Sequence, residues 1–461
     1  MKTQRERNFL MLRRTSVALL AIALVILLCV LWKKYLNFPA LLLIFFGFVL
    51  LITGIRKPTA DLFSPVRIYL IIWSVTVGTS MLYLSGLQQR WDGHMWTVIS
   101  VSAISYVGGV YLIYFIAPRK GKSIGELIKN WTPEIDWDVH RLSSAIIGLF
   151  LIGISALSIE AYLCGGLPFL QKDVWVARGE FGVFGIHLLT LTLRDVLIAV
   201  AIYFVIQKKT KKRFLDVIIA LIFLFSFLIL LATANRGDVL FPLIIIIVML
   251  WYLKKRISLK KLTVYALIFF IAFISIGLLR ERQGFSDFLY TYAEMRIPAK
   301  YSAITLPYTY ISMNFENLQN FINNKALHLA YGGHTFQPLL AIVRLESLIS
   351  EESIDGIWKS LQYSVFTTGS YLRTFYADFG FVGIVILPFL IGWIMGLTYY
   401  KMMTKKKIIY IVFHSFFTFA IILSFFSCFF SRLNFLSNLG VMYIVNLYCK
   451  KSSSTNDANR I

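Results

Sequence analysis

The sequence predicts an all-α protein that crosses a membrane many times. Of its 461 residues, 58% are hydrophobic and only 15% are charged, and the mean hydropathy is +0.72. Apolar stretches of roughly 18–22 residues recur along the chain, and each is long enough to span ~30 Å of hydrocarbon. This composition excludes a soluble globular protein and predicts a polytopic integral membrane protein.

About twelve transmembrane helices are predicted from apolar runs of suitable length. These runs lie near residues 15–32, 38–55, 68–87, 97–117, 142–162, 184–206, 214–233, 239–253, 262–279, 379–399, 408–430 and 434–449. The predicted regions are an N-terminal segment (1–14), a nine-helix membrane region (15–279), a large loop (280–378), a three-helix membrane region (379–449) and a polar, disordered tail (450–461). The first run follows a basic segment, as in a signal peptide, but no small-residue cleavage site comes after it. We therefore expect it to remain as a helix.

The formal net charge of +23 is concentrated in short clusters between the apolar runs. Cytoplasmic loops of membrane proteins are enriched in Lys and Arg. If the N-terminus is cytoplasmic and the number of spans is even, all of these basic clusters lie on the cytoplasmic side except the pair Lys33 and Lys34. The clusters are Arg5, Arg7, Arg13 and Arg14; Arg56 and Lys57; Arg119, Lys120 and Lys122; residues 208–213; residues 254–261; residues 405–407; and Lys450 and Lys451. We therefore predict that both termini are cytoplasmic and that nucleic acid is not a partner.

This topology places three segments on the outer side of the membrane: residues 162–185, the turn NRGD at 235–238, and residues 280–378. The third is the largest loop in the chain. It mixes aromatic, polar and charged residues with Pro and Gly, which indicates short helices packed at the membrane surface and not a disordered linker. A loop of this length with its own apolar content is usually functional.

Arginines gather near the predicted helix ends on this outer side, where the charge rule for cytoplasmic loops does not explain them. The planar guanidinium group suits bidentate binding of phosphate or carboxylate oxygens. Alternatively, these side chains extend to lipid headgroups or pair with Glu281, Asp238 or Asp378. The arginines are Arg178, Arg236, Arg280, Arg282 and Arg373. In the NRGD turn, Gly237 is expected to form the turn, and Asp238 to orient Arg236 or to act as a helix N-terminal charge.

Two further groups of ionisable residues are candidates for chemistry. Arg194 and Asp195 lie inside an apolar run, where we favour bonding to neighbouring helices over a functional role. Asp378, Glu281 and His334 are the outer candidates for general acid or base. Asp378 is the best placed of them, although it could also serve as a helix N-terminal charge. His334, in YGGHTFQPLL, is expected more as a hydrogen-bonding residue of a Gly turn than as a catalyst.

Several enzyme classes lack support because their motifs are absent from the sequence. There is no GxSxG, Walker A or HExxH motif and no zinc-spaced set of His and Cys. Few acidic residues crowd together on the outer side, so a metal-assisted mechanism is not expected. The four Cys show no CxxC spacing, which makes a disulfide framework improbable. We predict no metal and no cofactor.

Four segments of residues 160–400 carry a resemblance to a known family. They are GGLPFL followed by ARGEF in the first outer loop, ANRGD between two spans, RERQGF at the start of the large loop, and YLRTFYADFGFVG leading into a late span. In this order and topology they resemble the Wzy-type O-antigen and capsule polymerases, which join oligosaccharide repeat units in bacterial envelopes.

The resemblance implies a GT-C-like membrane glycosyltransferase of the bacterial cytoplasmic membrane that needs no metal. Its substrate would be an oligosaccharide on undecaprenyl pyrophosphate, supplied by a flippase, with a chain-length regulator as a further partner. Arg236, Arg280 and Arg282 would hold the pyrophosphate and stabilise charge on the leaving group. Arg178 and Arg373 would make secondary phosphate or sugar contacts. Asp378 would deprotonate the acceptor sugar, with His334 as the second choice.

Other interpretations of the same features remain open. Aromatic residues of the large loop could stack on sugar rings, although ordinary core or membrane-interface packing is favoured for each. They are Tyr301, Tyr308, Tyr310, Phe315 and Tyr331. An O-antigen ligase shares the architecture and the lipid-linked donor. A flippase would show two related halves and short loops, and a scaffold would not need several outer arginines.

Overall fold

The computed structural model of the chain describes residues 37–57, 60–116, 128, 131–207, 213–254, 285–323, 329–343, 345 and 365–451. Over these residues the regular elements are helices, and β pairing is limited to isolated bridges. The α-helices are α1 (Phe38–Arg56), α2 (Pro65–Ser80), α3 (Gly93–Ile116), α4 (Val139–Leu163), α5 (Val174–Glu180), α6 (Ile186–Thr190), α7 (Thr192–Ile206), α8 (Arg213–Ala232), α9 (Arg236–Leu253), α10 (Phe285–Tyr292), α11 (Thr305–Ile322), α12 (Gln337–Ile342), α13 (Tyr371–Lys405), α14 (Ile408–Ile422) and α15 (Leu433–Cys449). Short 3₁₀ turns occur at Pro168–Leu170, Ala299–Ile304 and Phe429–Ser431.

Seven stretches of the described residues are long and apolar enough to cross a membrane. They are α1, α3, α4, α6 with α7 (Ile186–Ile206), α8 (from Phe214), α9 and α13, while α14 and α15 are apolar but shorter. The prediction of a helical membrane protein is confirmed. Ten of the twelve predicted spans coincide with described helices, and the two near 15–32 and 262–279 lie outside the described residues. The total of twelve spans stays a prediction.

Two predicted spans extend beyond the helices found there. The span near 68–87 ends as a helix at Ser80, because Leu84 leaves it to pack with Met295 and Tyr308 in a separate small core. The Leu84 backbone N–H donates to the Tyr308 hydroxyl at 2.9 Å. The span near 408–430 ends as a helix at Ile422, and residues 423–432 form an irregular connection to α15. In both places, tertiary contacts replace the continuation of an apolar helix.

Helices α3 and α13 pack closely through glycine. A Cβ atom on Gly109 would lie 2.1 Å from the carbonyl oxygen of Phe389, and one on Gly392 would lie 2.0 Å from that of Tyr106. Small residues allow helix backbones to approach closely inside a membrane, where dispersion contacts and not hydrophobic transfer hold helices together. These two glycines therefore set the distance between α3 and α13.

Helix α13 is divided by Gly380, whose φ of 57° and ψ of −142° break the helical geometry. This left-handed backbone favours glycine because a side chain there would be strained. With 35 residues, α13 is about 52 Å long at 1.5 Å per residue, which exceeds the ~30 Å of a bilayer core. The kink at Gly380 separates a short N-terminal segment of α13, residues 371–379, from the part of α13 that corresponds to the predicted span near 379–399.

One end of the helix bundle carries Lys-rich chain segments and is called the lysine-rich end. It contains the last residues of α1, α9, α13 and α15, with Arg56, Lys57, Lys254, residues 405–407, Lys450 and Lys451. These segments meet, since the buried Asp61 carboxylate accepts hydrogen bonds from Trp251 Nε1 (3.1 Å), Tyr252 (2.7 Å) and Tyr399 (2.8 Å). The backbone of Asp138, which begins α4, donates to the carbonyl of Cys449 at 2.7 Å. The basic clusters of the described residues thus share one side, as the charge pattern predicts.

Candidate functional site

The opposite end of the bundle carries the candidate site and is called the arginine-rich end. Helices α9, α13 and α15 begin there, and α4, α8 and α14 end there. Arg90 and Arg296 lie at this end beside the connection from α2 to α3. The candidate site comprises four other arginines from separate segments: Arg178, Arg236, Arg373 and Arg432. Three of them were singled out from the sequence, and Arg432 was not.

The NRGD segment begins helix α9. Asn235 is the N-cap, and its side-chain oxygen accepts the backbone N–H of Gly237 at 3.1 Å. Asn at an N-cap satisfies a backbone donor that the helix leaves unpaired. The chain turns at Ala234, which has a φ of 54°, and Gly237 lies in the first helical turn. The expectation that Gly237 makes the turn is therefore wrong, because the turn precedes the N-cap.

Arg236 is held against an aromatic side chain of the large loop. Its side chain is nearly buried, Nη1 donates to the Tyr310 hydroxyl at 3.1 Å, and Cζ lies 5.7 Å from the centre of the Tyr310 ring. The Tyr310 ring stacks on Phe426, with ring centres 5.6 Å apart and planes at 11°. A guanidinium over an aromatic face is stabilised by the ring quadrupole and remains charged. Tyr310 and Phe426 therefore fix Arg236 in place.

Asp238 does not orient Arg236. Its carboxylate forms a buried salt bridge with Arg194 and accepts the Thr233 hydroxyl at 3.0 Å. Asp195 accepts a hydrogen bond from the Asn438 side chain of α15 at 3.1 Å. Arg194 and Asp195 thus bond to neighbouring helices, as we favoured from the sequence. Asp238 also lies in the first turn of α9, where it acts as a helix N-terminal charge, the second role expected for it.

Arg178, on the short helix α5, approaches the start of α9. Its Nη2 atom lies 3.5 Å from the side-chain oxygen of Asn235, and its Nε atom is buried with no hydrogen-bond partner. The Asn235 oxygen therefore faces both the Gly237 N–H and Arg178. Through this contact, Arg178 and Arg236 lie on either side of one N-cap.

Arg373 and Arg432 form a second arginine pair. Arg373 lies in the first turn of α13, where Nη2 donates to the carbonyl of Thr367 at 3.3 Å and Nη1 is buried without a hydrogen-bond partner. Arg432 is exposed, donates to the Ser427 hydroxyl at 2.9 Å, and is close enough to repel Arg373 electrostatically. Among the described residues, neither arginine has a carboxylate within salt-bridge distance.

Asp378 holds the glycine turn that carries His334. The Asp378 side chain is fully buried, Oδ1 accepts the backbone N–H of His334 at 2.9 Å, and Oδ2 accepts that of Thr335 at 2.6 Å. The backbone N–H of Tyr331 donates to the Asp378 carbonyl at 3.0 Å. Both predicted catalytic residues therefore lie together, with Asp378 in a position that orients the turn. Both carboxylate oxygens of Asp378 bind backbone N–H groups. These contacts support neither of the alternative roles considered for Asp378, an ion pair with an arginine or a charge at a helix start.

The imidazole of His334 lies between opposite charges. Burial lowers the pKa of His334, the Asp378 carboxylate raises it, and Arg373 lowers it, with burial the largest of the three effects. A lowered pKa keeps the ring neutral near pH 7, which is the form that can accept a proton. The charges of Asp378 and Arg373 thus both act on His334.

The aromatic residues of the large loop divide by exposure. Tyr308 and Phe315 are buried in the protein core, which agrees with the packing role favoured for them. Tyr310 binds Arg236, Tyr301 is half-buried, and Tyr331 is 80% exposed with a φ of 46°. Of these five, Tyr331 is the one whose ring faces away from the protein.

Two buried carboxylates at this end were missed by the sequence reasoning. Glu160, at the end of α4, accepts from His187 Nδ1 at 2.8 Å and from the Val183 N–H at 3.0 Å. Glu316, on α11, accepts from Trp91 Nε1 and the Gln89 N–H, both at 3.1 Å. Glu160 lies in an apolar run, a signal that could have drawn attention to it; Glu316 gives no signal in sequence.

Some predicted features lie outside the described residues, among them Arg280, Arg282 and Glu281. Within the described ranges, no group of three or more His, Cys, Asp or Glu could hold a metal ion. Scans against protein-family models, curated proteins and solved structures find no match to this chain. The arrangement of the site is therefore the basis for a function: a group of arginines, from buried to exposed, with a neutral imidazole at the same end suits binding of a strong anion and transfer of a proton.

Proposed function

We propose that this chain is a membrane glycosyltransferase that polymerises oligosaccharide repeat units carried on undecaprenyl pyrophosphate. The reaction takes place at the outer face of a bacterial cytoplasmic membrane. It joins one lipid-linked repeat unit to another and releases a lipid pyrophosphate. The arginines bind the pyrophosphate, and no metal or cofactor takes part.

The observation that carries this proposal is the convergence of arginines from four separate segments at the arginine-rich end. Arg178 lies on the short helix α5, and Arg236, Arg373 and Arg432 lie at the starts of α9, α13 and α15. Arg194 forms a buried salt bridge with Asp238 and is not part of this group. A diphosphate carries several negative charges and matches the bidentate geometry of guanidinium groups.

At the anomeric carbon the proposed step forms one bond and breaks one, and a proton moves from the acceptor hydroxyl to the protein. A hydroxyl oxygen of the acceptor sugar attacks the anomeric carbon of the donor sugar, and the bond from that carbon to the pyrophosphate oxygen breaks. The electron pair of the broken bond stays on the pyrophosphate, where the arginines stabilise the developing charge. The hydroxyl proton passes to His334, which Asp378 positions through the backbone of its turn.

The assignment of roles differs from the order expected from sequence. Asp378 was the first choice as the base, but its two oxygens accept backbone N–H groups and its side chain has no exposed surface. His334 is therefore the proton acceptor in this proposal, and Asp378 is a positioning residue. Arg280 and Arg282 stay predicted pyrophosphate ligands.

We also propose the membrane orientation and the partners. The lysine-rich end is cytoplasmic by the enrichment of Lys and Arg in cytoplasmic loops, so both termini are cytoplasmic when twelve helices cross in a GT-C-like arrangement. The arginine-rich end then faces the outside, where a flippase delivers the substrate. A chain-length regulator is a further expected partner.

Deletion of the gene tests this function. We expect the surface polysaccharide on a gel to collapse from a ladder to single repeat units. A complete ladder retained on the lipid carrier would instead indicate a ligase, and loss of all surface product a flippase. Either of these results would contradict the polymerase.

Complementation with variants tests the site. Arg236→Gln should restore no ladder although the protein is present in the membrane at the wild-type level. Arg141→Gln is the matched control, because Arg141 is exposed at the lysine-rich end and binds backbone carbonyls of Tyr448 and Lys450. A normal ladder with Arg236→Gln contradicts the role of the arginines.

A further inference from the structure

The contacts of the site arginines group them into two pairs. Arg178 and Arg236 flank the N-cap of α9, while Arg373 and Arg432 lie at the starts of α13 and α15. The stacked rings of Tyr310 and Phe426 connect the two pairs. Tyr310 binds Arg236, and Phe426 directly precedes Ser427, which binds Arg432.

The second pair is built by contacts that fix its position. The connection 423–432 is fastened at Ser424, whose carbonyl accepts the backbone N–H of Tyr371 at 2.8 Å and whose hydroxyl accepts Trp73 Nε1 at 3.0 Å. Tyr371 is the first residue of α13, so the same contacts bring Arg373 and Arg432 together. Both chain segments are thus held by shared contacts, and the two positive charges lie close enough to repel each other.

Like charges held together without a counter-charge indicate an anion site. The hydrogen bond of Arg432 to Ser427 and that of Arg373 to the Thr367 carbonyl are both to neutral groups. One guanidinium nitrogen of Arg373, Nη1, is buried and has no hydrogen-bond partner, and an unsatisfied charged donor is costly. Arg432 is exposed, so a ligand can reach the pair from the outer surface.

We propose that the Arg373–Arg432 pair binds the diphosphate of a second polyprenyl carrier while Arg178 and Arg236 bind the first. This inference rests on the proposed function, in which each joining step consumes two lipid-linked substrates. Each substrate carries its own diphosphate, and the two cannot share one guanidinium pair. The Tyr310–Phe426 stack connects the two sites, since Tyr310 binds Arg236 and Phe426 directly precedes Ser427, which binds Arg432.

Counting bound ligand tests the proposal directly. The full-length protein is placed in nanodiscs of zwitterionic lipid, and binding of radiolabelled geranylgeranyl diphosphate is measured at equilibrium. We expect two ligands per wild-type chain and one per chain for Arg432→Gln, Arg373→Gln or Arg236→Gln. Loss of a charge-assisted hydrogen bond weakens affinity at the altered site by roughly ten- to hundredfold. The double variant Arg236→Gln with Arg432→Gln should bind none in the same concentration range.

Control variants show whether a loss of ligand binding comes from the altered site or from a general effect of replacing an arginine. Arg432→Lys keeps the charge and should retain two ligands at lower affinity, and Arg141→Gln should behave as wild type. One ligand per wild-type chain, unchanged by Arg432→Gln but lost in Arg236→Gln, overturns the second site and leaves the proposed function standing. No binding to a folded wild-type chain contradicts both.

A further arm distinguishes the source of the diphosphate. Nanodiscs that contain phosphatidylglycerol supply abundant single phosphates, and inorganic pyrophosphate supplies a diphosphate without a lipid. Competition by pyrophosphate but not by phosphatidylglycerol supports a diphosphate site. If phosphatidylglycerol alone abolishes the Arg432-dependent binding, the pair is a headgroup site of the bilayer and the proposal is wrong.

Discussion

The Asp378 carboxylate accepts the backbone N–H of His334 at 2.9 Å, and this contact joins the two predicted catalytic residues through the main chain. The second carboxylate oxygen binds the next backbone N–H, that of Thr335. Asp378 therefore fixes the backbone of the turn that carries the imidazole. The roles of the two residues can be separated by mutation.

Replacing His334 and replacing Asp378 should have different effects. His334→Gln keeps the backbone N–H bonds, so we expect a stable protein that forms no polysaccharide ladder. Asp378→Ala leaves two buried N–H groups without an acceptor, which should lower the free energy of unfolding by roughly 2–6 kcal/mol. The measurements are thermal unfolding in detergent and the ladder in a complemented deletion strain.

Two results would contradict these roles. A full ladder with His334→Gln excludes His334 as the proton acceptor, and wild-type stability of Asp378→Ala excludes the support that the carboxylate gives the turn. Asp378→Asn is the intermediate variant, because its amide has one acceptor oxygen for the two N–H groups. It should lie between wild type and Asp378→Ala in stability.

The buried salt bridge between Arg194 and Asp238 should be essential to folding and not to binding of the substrate. Asp238→Asn leaves the Arg194 charge buried and uncompensated, which we expect to lower the free energy of unfolding by about 3–5 kcal/mol. Replacing both residues by apolar ones, Arg194→Met with Asp238→Leu, should recover most of that loss. A double variant no more stable than Asp238→Asn, by thermal unfolding, counts against this account.

Neighbouring glycines of α3 give a matched test of the helix packing. Gly109→Ala places a methyl group against the Phe389 backbone and should destabilise the protein by roughly 1–3 kcal/mol. Gly108→Ala meets its nearest neighbour at 4.0 Å and should be neutral or stabilising, since Ala favours a helix over Gly. Equal unfolding temperatures for the two variants would show that α3 and α13 are farther apart than described.

Glu316 should make stability depend on pH. Burial is the main reason that its pKa rises from 4.5 to about 7, while hydrogen bonds from Gln89 and Trp91 partly offset the effect. Between these values the folded protein keeps a proton that the unfolded chain has lost. The free energy of unfolding should therefore fall as the pH rises from about 4.5 to about 7, by roughly 3 kcal/mol, and then level off.

Comparison with Glu316→Gln isolates this contribution. The variant carries no titrating group at this position, so its unfolding temperature should change less across the same pH window. Glu180→Gln, at an exposed position, is the control and should follow the wild type. If the wild type and Glu316→Gln show the same pH dependence, Glu316 does not titrate as described.

The helices were predictable because each apolar run must itself fill the width of a membrane. The start of α9 was also encoded locally, with Asn235 as an N-cap and Asp238 in the first turn. By contrast, the apolar residues 81–87 and 423–430 continue their runs in sequence but leave the helix in the fold. The residues that these segments contact are distant in the chain, so an apolar run alone does not indicate where its helix ends.

The site was predictable in part. Topology alone placed Arg178, Arg236 and Arg373 on one side, and the structure brings them to one end of the bundle. Arg432 escaped notice because it lies between two apolar runs that look like a continuous hairpin. Glu316 escaped because its partner Trp91 is 225 residues away. Such long-range pairs depend on the packing of helices, which local sequence does not specify.

The most direct test of the central claim is reconstitution of the reaction. The full-length protein in nanodiscs is given lipid-linked repeat units isolated from the deletion strain, and glycan length and released polyprenyl pyrophosphate are measured together. We expect a ladder, with one lipid pyrophosphate released for each bond formed, and no ladder with Arg236→Gln. A folded wild-type protein that leaves the repeat units unjoined, or an Arg236→Gln variant that joins them at the wild-type rate, would contradict the account.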